Sequence, residues 1–424
     1  MYRLIRKLYP ICRSITGNGF RKSLRILQDR LELTMQEVPS GTKVFDWTVP
    51  KEWNIRDAYV QNARGERIID FQRSNLHVVS YSIPIKRKIP LRELKEHLHT
   101  LPEHPDWIPY RTSYYTEDWG FCLPHRQFLD LDEGEYEVSI DASLEDGHLT
   151  YGEYYLPGES PHEVLISCHS CHPSLCNDNL SAMSAAVELA EYLSQSPRRF
   201  SYRFLFIPGT IGSITWLALN EATVPNIKHG LLLSCLGDAG SSTYKLSRRG
   251  DALIDRAAKN VLEHAGESFT ILEFVPYGYD ERQFCSPGFD LPLGCLMRTP
   301  NGKYPEYHSS ADDLDLVQPD ALADSFEKCV RIINVLEQDG YFINLNPKCE
   351  PQLGKRGIYR GLRGQGDLPN RELALLWVLN LSDGKHTLLD IAERAHMAFD
   401  TIHDAAQTLT KHDLLRRADQ VEHG

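Results

Sequence analysis

The chain contains four side chains, spread between residues 169 and 308, of the types that bind zinc. They are the imidazoles of His169 and His308 and the carboxylates of Asp178 and Asp238. Zinc binds neutral imidazole and carboxylate, leaves a position for water, and makes that water a nucleophile near neutral pH. If the fold brings the four side chains together, the sequence predicts a hydrolytic site for one zinc ion, or for two ions bridged by Asp178.

Each candidate residue also has a purely structural interpretation. His169 could be a buried histidine at a strand end, Asp178 could cap the helix that follows it, and Asp238 could lie in a plain turn. His172, close to His169, is either a further ligand or a catalytic group that orients one. The order of these residues along the chain and their immediate neighbours favour the metal site.

The elements expected around these residues form an α/β fold. Between about residues 148 and 337, apolar runs typical of buried strands alternate with stretches of helical periodicity. This alternation predicts a largely parallel sheet with helices on both faces. Ligands bind beyond the carboxyl ends of such strands, so His169 and Asp238, which each follow a predicted strand, are expected at one edge. The predicted strands are Glu163–Ser167, Tyr202–Ile207 and His229–Cys235.

The pattern of apolar residues changes along the chain and predicts four parts. The last part has three helical stretches followed by a strand-like end, which is the layout of a winged helix. A Gly-, Arg- and Pro-containing stretch, residues 347–367, is predicted to link it to the rest. The parts are 1–45, a helical start of the core; 46–147, an inserted β-rich domain; 148–345, the α/β core; and 366–424, the winged helix.

Composition narrows the classes of function. The 424 residues include 58 acidic and 46 basic side chains, which give a formal net charge of −12. An acidic surface is a poor partner for nucleic acid or anionic membranes, and there is no apolar run of about 20 residues. Residues 1–10 lack the apolar stretch of a signal peptide, and the 10 cysteines are scattered, so we expect a cytoplasmic protein with reduced thiols.

The segments around the candidate ligands resemble those of bacterial aminopeptidase-like proteins associated with polysaccharide biosynthesis. The most specific segments are Cys171–Ser181, Pro208–Ser213, Cys285–Gly294 and Tyr304–His308. These proteins are similar to the zinc aminopeptidases, and the resemblance covers almost the whole chain. It implies a zinc-aminopeptidase-like core with an inserted β domain and a C-terminal winged helix.

The resemblance also implies a role for each candidate ligand. His169 corresponds to the first ligand, Asp178 to the bridging carboxylate and His308 to the last ligand. Asp238 corresponds to the carboxylate of the second metal, and Asp280 resembles a structural acid near the substrate pocket.

The chain departs from the zinc aminopeptidases at the residues that move protons. In those enzymes a pair of glutamates follows the strand that ends before residue 208, and the first of them is the general base. Here Pro208–Thr210 contains no carboxylate, and Cys171 stands where an aspartate is usual. A base must lie within hydrogen-bond reach of the water, and Glu281 is our candidate, with Glu306 as the alternative.

Three functions follow from these observations. The first is a zinc-dependent hydrolase that cleaves an amide or peptide bond of a small peptide-like or aminoacyl substrate. The second is a catalytically impaired protein of the same fold that serves as a binding or scaffolding module in polysaccharide biosynthesis. The third is a DNA-binding regulator, but the predicted recognition helix, residues 400–413, has three aspartates and one lysine. We therefore expect the winged helix to contact protein, for example in a homo-oligomer.

Overall fold

The structure is a computed structural model that describes residues 1–358 and 370–418. Parts of the predicted linker, 347–367, and of the predicted winged helix, 366–424, lie outside the described residues. The chain divides into two compact units. The larger consists of Met1–Gly250 and Leu272–Phe326, and the smaller of Asp251–Ile271 and Glu327–Gly424.

Helices and strands alternate along most of the described chain. The helices are α1 (Tyr2–Leu8), α2 (Asn18–Gln28), α3 (Leu91–Leu94), α4 (His125–Leu129), α5 (Ala182–Ser194), α6 (Ile211–Leu219), α7 (Leu253–Glu263), α8 (Glu281–Phe284), α9 (Pro319–Gln338), α10 (Asn370–Leu381), α11 (Leu388–Ala395) and α12 (Phe399–Lys411). None of these described helices combines the length and apolar character that crossing a membrane requires.

The strands are β1 (Thr34–Pro39), β2 (Lys43–Val44), β3 (Trp47–Thr48), β4 (Glu52–Gln61), β5 (Arg67–Asp70), β6 (Ile85–Pro90), β7 (Leu98–His99), β8 (Phe121–Cys122), β9 (Glu135–Glu145), β10 (His148–Leu156), β11 (Glu163–His169), β12 (Ser201–Ile207), β13 (Ile227–Leu233), β14 (Ser242–Lys245), β15 (Phe269–Leu272), β16 (Leu293–Met297), β17 (Tyr341–Asn344), β18 (Asp383–Thr387) and β19 (Leu415–Arg417).

The larger unit is built on a mixed sheet with strand order β1-β10-β12-β11-β13-β16-β14. Its centre, β12-β11-β13-β16, is parallel, and the outer pairs β1–β10, β10–β12 and β14–β16 are antiparallel. Every residue of β11 is buried, as expected for a central parallel strand covered on both faces. The predicted α/β class is confirmed, and the predicted parallel sheet is the centre of this mixed one.

The β-rich insertion lies between two neighbouring strands of the large sheet. β1 and β10 pair directly, and the chain between them forms an antiparallel sheet in the order β5-β4-β9-β6. Buried and more exposed residues alternate along β9, the pattern of a strand with one face on a core. The buried side chains on this sheet include Ala58, Val60, Ile69, Val138 and Ile140.

The smaller unit contains the three C-terminal helices and a three-stranded sheet. α10, α11 and α12 lie close to the positions predicted from the sequence, and the sheet has the order β18-β17-β19. α11 begins with a capping box, in which Thr387 Oγ1 accepts from Asp390 N (3.1 Å) and Asp390 Oδ2 accepts from Thr387 N (2.7 Å). β17 precedes residue 345, where the sequence prediction ended the core, and its hydrogen-bonded neighbours are strands of this C-terminal sheet.

Candidate metal centre

Segments distant in sequence meet at the carboxyl edge of the parallel strands. His169 is the last residue of β11, and β12 ends beside it at Ile207. Asp178 lies in the helical turn Cys176–Ser181 that precedes α5, and its peptide bond to Asn179 is cis. His308 lies in the loop after β16. Because the strands are parallel, their carboxyl ends share one edge, as the sequence predicted.

The carboxylate of Asp178 lies among three imidazoles. Its Oδ1 is 2.6 Å from Nε2 of His169 and 3.5 Å from Nδ1 of His172, and its Oδ2 is 3.1 Å from Nε2 of His308. One donor atom from each of His169, His172 and Asp178 can be chosen so that all three lie within 4.8 Å of one another. We call these four side chains the histidine–aspartate cluster. It contains three of the four ligands predicted from the sequence, together with His172.

The protonation states of the cluster suit a cation. Burial lowers the pKa of His172 and of His308 below the ordinary value, so both imidazoles are neutral near pH 7. Burial favours the protonated form of Asp178, but the His172 and His169 imidazoles hold its pKa well below the usual range. Neutral imidazole and ionised carboxylate are the forms that bind a metal.

One nitrogen in the cluster has no hydrogen-bond partner. Nδ1 of His172 is buried and, among the described residues, accepts from and donates to nothing. An unsatisfied buried polar atom is costly unless something outside the protein pairs with it. Together with the carboxylate of Asp178 beside it, this nitrogen fits a site for a divalent cation with His and Asp ligands.

The turn that carries Asp178 is fixed by another buried acid. The carboxylate of Asp312 accepts hydrogen bonds from the backbone N of Asn177 (2.5 Å) and of Asp178 (2.9 Å). Burial raises the pKa of Asp312 to about 7. On the other side of the turn, the side-chain nitrogen Nδ2 of Asn179 lies 3.2 Å from Nδ1 of His169. Polar contacts of the Asp312 and Asn179 side chains therefore position the turn and the end of β11.

Tyr279 also belongs to the site, although it was not among the residues predicted from the sequence. Its ring stacks on the His169 ring, with centroids 3.8 Å apart and an interplanar angle of 9°. Its hydroxyl lies 3.2 Å from Oδ2 of Asp178 and 3.3 Å from Nε2 of His308. Burial raises the pKa of Tyr279 well above its ordinary value, so the phenol keeps its proton. The only signal in the sequence was its position directly before Asp280.

Asp238, the remaining predicted ligand, is not brought into the cluster. Its Oδ1 accepts from Thr299 Oγ1 (2.6 Å) and Gly240 N (2.7 Å), and its Oδ2 accepts from Asn177 Nδ2 (3.0 Å) and Thr299 N (3.2 Å). Both oxygens are thus occupied by protein donors. Through Asn177 the side chain supports the turn that carries Asp178, which is a positioning role.

The predicted base Glu281 also contacts residues outside the histidine–aspartate cluster. Its Oε1 accepts from Lys245 Nζ at 2.8 Å in a buried ion pair, and its Oε2 accepts from Tyr279 N at 3.1 Å. Asp280 is buried, and its Oδ1 accepts from Thr210 N (2.9 Å) and Ser213 Oγ (2.7 Å). Asp280 therefore anchors the loop after β12 through these two hydrogen bonds.

A cavity of about 370 Å³ opens above the cluster. His172, His308 and Tyr279 face it from the core, and Tyr110 contributes from the insertion. The Tyr110 ring packs edge-on against His172 and His308, with centroids 5.1 Å from each. Gly209, in the carboxylate-free loop Pro208–Thr210 after β12, also lines the cavity. The insertion and the core thus build one binding site together.

Comparison with protein families agrees with this architecture. Residues 2–339 match the family described as domain of unknown function DUF4910. The chain belongs to this family. Residues 341–417 match a winged helix-turn-helix family, which confirms the predicted winged helix and includes β17 at its start.

A relative and a solved structure each match nearly the whole chain. A Clostridium acetobutylicum protein, whose name provisionally assigns it to polysaccharide biosynthesis and gives it an aminopeptidase-like domain, is 54% identical over 416 residues, which cover 98% of this chain and 96% of the relative. A crystal structure from Clostridium acetobutylicum, provisionally named a peptidase, superposes with a TM-score of 0.94 at 52% identity and covers 98% of this chain and 96% of that one.

A zinc aminopeptidase from Bacillus subtilis superposes with a TM-score of 0.57 at 14% identity and covers 78% of this chain and 93% of that one. At this identity the likeness is one of fold alone. The predicted resemblance to aminopeptidase-like proteins is confirmed by the 54% identical relative, whose name gives it an aminopeptidase-like domain.

Proposed function

We propose that this DUF4910 protein is a metal-dependent hydrolase that cleaves an amide or peptide bond of a small substrate. The observation that carries the proposal is the carboxylate of Asp178, surrounded by three imidazoles at the base of a cavity. The histidine–aspartate cluster lies at one edge of the sheet and provides the imidazole nitrogens and carboxylate oxygens that zinc prefers as ligands. The proposed ligands are His169, His172, Asp178 and His308.

The side chains of the cluster have separate tasks in this proposal. Bound zinc would polarise the scissile carbonyl and lower the pKa of water. Tyr279 keeps its phenolic proton and can donate a hydrogen bond to the oxygen on which negative charge develops during amide cleavage. His308 Nε2 lies 3.3 Å from that hydroxyl and, as a neutral imidazole, serves as a ligand rather than as a base. Asp312 and Asn179 hold the ligands in place.

A second function is favoured by one specific observation. The loop Pro208–Thr210 brings no carboxylate to the cavity, and Glu281 is engaged by Lys245. A protein of this fold without a general base would bind its ligand without rapid turnover. In that case the chain would serve as a binding module, and the name of its Clostridium acetobutylicum relative points to polysaccharide biosynthesis.

Metal analysis combined with a hydrolysis screen tests the proposal. Purified protein is analysed for zinc by elemental analysis, and turnover of aminoacyl and N-acyl-sugar amides is measured with and without a chelator. A metal-dependent hydrolase retains stoichiometric zinc and loses its turnover in the chelator. Zinc retention with no turnover on any member of the panel would favour the binding module, and the absence of both would remove the metal site itself.

A further inference from the structure

The cavity above the cluster is lined by basic side chains. Arg111 from the insertion and Arg282 from α8 both line it, with His172 and His308 at its base. None of the described residues that line it is an aspartate or a glutamate. The chain as a whole has 58 acidic and 46 basic residues. The charge of the cavity lining is therefore opposite in sign to the net charge of the protein. Such a cavity attracts anions and repels cations.

No carboxylate of the described residues lies within ion-pair distance of either guanidinium group, although the charge of Arg282 acts on the buried Asp280. Across residues 1–358 and 370–418, neither Arg111 nor Arg282 forms an ion pair, and the buried Nε of Arg282 has no hydrogen-bond partner. Lys245, by contrast, is paired with Glu281 at 2.8 Å. A buried charged donor without an acceptor is costly, and a ligand oxygen would satisfy it. The unpaired donors are therefore available to a molecule in the cavity.

We infer that the cavity binds its substrate through an anionic group, a carboxylate or a phosphate, which Arg111 and Arg282 hold beside the bond to be cleaved. Planar guanidinium groups bind both kinds of anion through paired, charge-assisted hydrogen bonds. The position of the reacting bond rests on the proposed function, whereas the anion contacts do not.

The same lining disfavours a substrate with a free amino group. An ammonium needs a carboxylate or several carbonyl oxygens around it, and two unpaired guanidinium groups repel it. Gly209 and Thr210, which line the cavity, offer no carboxylate. The preferred substrate is consequently an N-acylated acid or a phosphorylated amide rather than a peptide with a free amino terminus, and this distinguishes the site from one that recognises amino ends.

Titration calorimetry with matched probes tests this inference. The carboxylate pair is N-acetyl-leucine with its neutral amide, the phosphate pair is N-acetylglucosamine 1-phosphate with N-acetylglucosamine, and leucinamide is the cationic probe. Each is titrated into zinc-loaded and into chelator-treated protein. We expect the anionic member of one pair to bind at least ~10-fold more tightly than its neutral partner in both forms of the protein. The pair that shows this preference identifies the anion.

Three variants assign the preference to the arginines. Arg282→Gln and Arg111→Gln are expected to lose the preference for the anion, and Arg282→Lys is expected to keep part of it because the charge remains. Arg73→Gln, an exposed arginine outside the cavity, is the control and should bind like the unmodified protein. Circular dichroism confirms that each variant is folded, and Arg111 is exposed, so its replacement leaves the core intact.

The outcomes separate this inference from the proposed function. Equal binding of both members of each pair, tightest binding of leucinamide, or an unchanged preference in both glutamine variants would overturn the anion site. If anion preference persists while zinc binding or hydrolysis fails, only the proposed function is lost. If zinc binds and an amide is hydrolysed without any anion preference, only the present inference is lost.

Discussion

His308 and Asp178 lie 130 residues apart in the sequence, yet Nε2 of the histidine is 3.1 Å from Oδ2 of the aspartate. The contact joins the loop after β16 to the turn before α5. Tyr110 N donates to the carbonyl oxygen of His308 at 2.8 Å, so the insertion also supports this loop. The cluster therefore depends on three separate parts of the chain, and each can be tested by substitution.

Replacing His308 should remove the metal without unfolding the protein. The His308 side chain is 32% exposed, whereas Asp178 is fully buried, so His308→Ala leaves the core packing largely unchanged. Losing a ligand should weaken zinc binding by more than the ~10–100-fold that follows the loss of an outer-shell partner. Elemental analysis after dialysis against zinc gives the stoichiometry, and urea unfolding of the metal-free protein gives the stability.

The matched control for this experiment is His162→Ala, because His162 is an exposed histidine. It should retain zinc and stability like the unmodified protein. Stoichiometric zinc in the dialysed His308→Ala protein would take His308 out of the ligand set.

Asp280 should make the stability fall as the pH rises from about 4 to about 7. Burial raises the pKa of this carboxyl from 3.8 to about 7 in the folded protein. Between these two values the folded state holds the proton and the unfolded state releases it, so the free energy of unfolding decreases with increasing pH. The stabilising contribution is complete below about pH 4 and is lost as the pH passes 7. Urea unfolding of chelator-treated protein at several pH values measures this slope.

The Asp280→Asn variant isolates the contribution of this one carboxyl. Asparagine does not titrate, so the variant should show a flatter slope than the unmodified protein over the same range, and the difference between the two curves removes all other titrating groups. Identical slopes would mean that Asp280 is ionised in the folded protein throughout.

Strand positions and most of the cluster could be predicted because they leave a local signal. The apolar run of β11 identifies a buried strand, and a histidine at its end falls at the edge where ligands bind. Tyr279 and Arg282 leave no periodic signal, since one lies in a loop and the other in the four-residue helix α8, and both reach the site only in the folded chain. The contacts of Asp238 could not be predicted for a related reason: sequence order does not reveal that Thr299 donates to both of its oxygens.

Introducing a carboxylate at Gly209 should increase hydrolysis. A Cβ at this position would meet Cys171 Sγ at 3.5 Å and the Tyr279 ring at 3.6 Å, which are ordinary contacts, and the backbone is not in the left-handed region. In Gly209→Glu the carboxylate would enter the cavity and could accept a proton from water. General base catalysis is worth ~10²–10⁴-fold, so even imperfect placement should raise kcat about 10-fold.

Gly209→Gln is the matched control for this substitution, because it has the same shape without the charge. Its kcat should stay at the level of the unmodified protein. A glutamate variant that folds and binds zinc but gains no activity over the glutamine variant would show that the missing carboxylate does not limit turnover.

Replacing Glu281 should reduce the free energy of unfolding rather than the rate of the chemical step. The Lys245 and Glu281 side chains are only 6% and 4% exposed, and their ion pair measures 2.8 Å. Removing one charge leaves the other buried without its counter-ion, which typically costs 3–5 kcal/mol, so Glu281→Gln should lower the free energy of unfolding by ~3 kcal/mol. The double variant Lys245→Met/Glu281→Leu removes both charges with similar volume and should recover most of the loss. Turnover of each variant, measured under conditions where it is fully folded, then shows whether the Glu281 carboxylate takes part in hydrolysis.

A large fall in kcat for Glu281→Gln at unchanged stability and zinc content would mean that Glu281 leaves the ion pair to act as the general base, as the sequence first indicated.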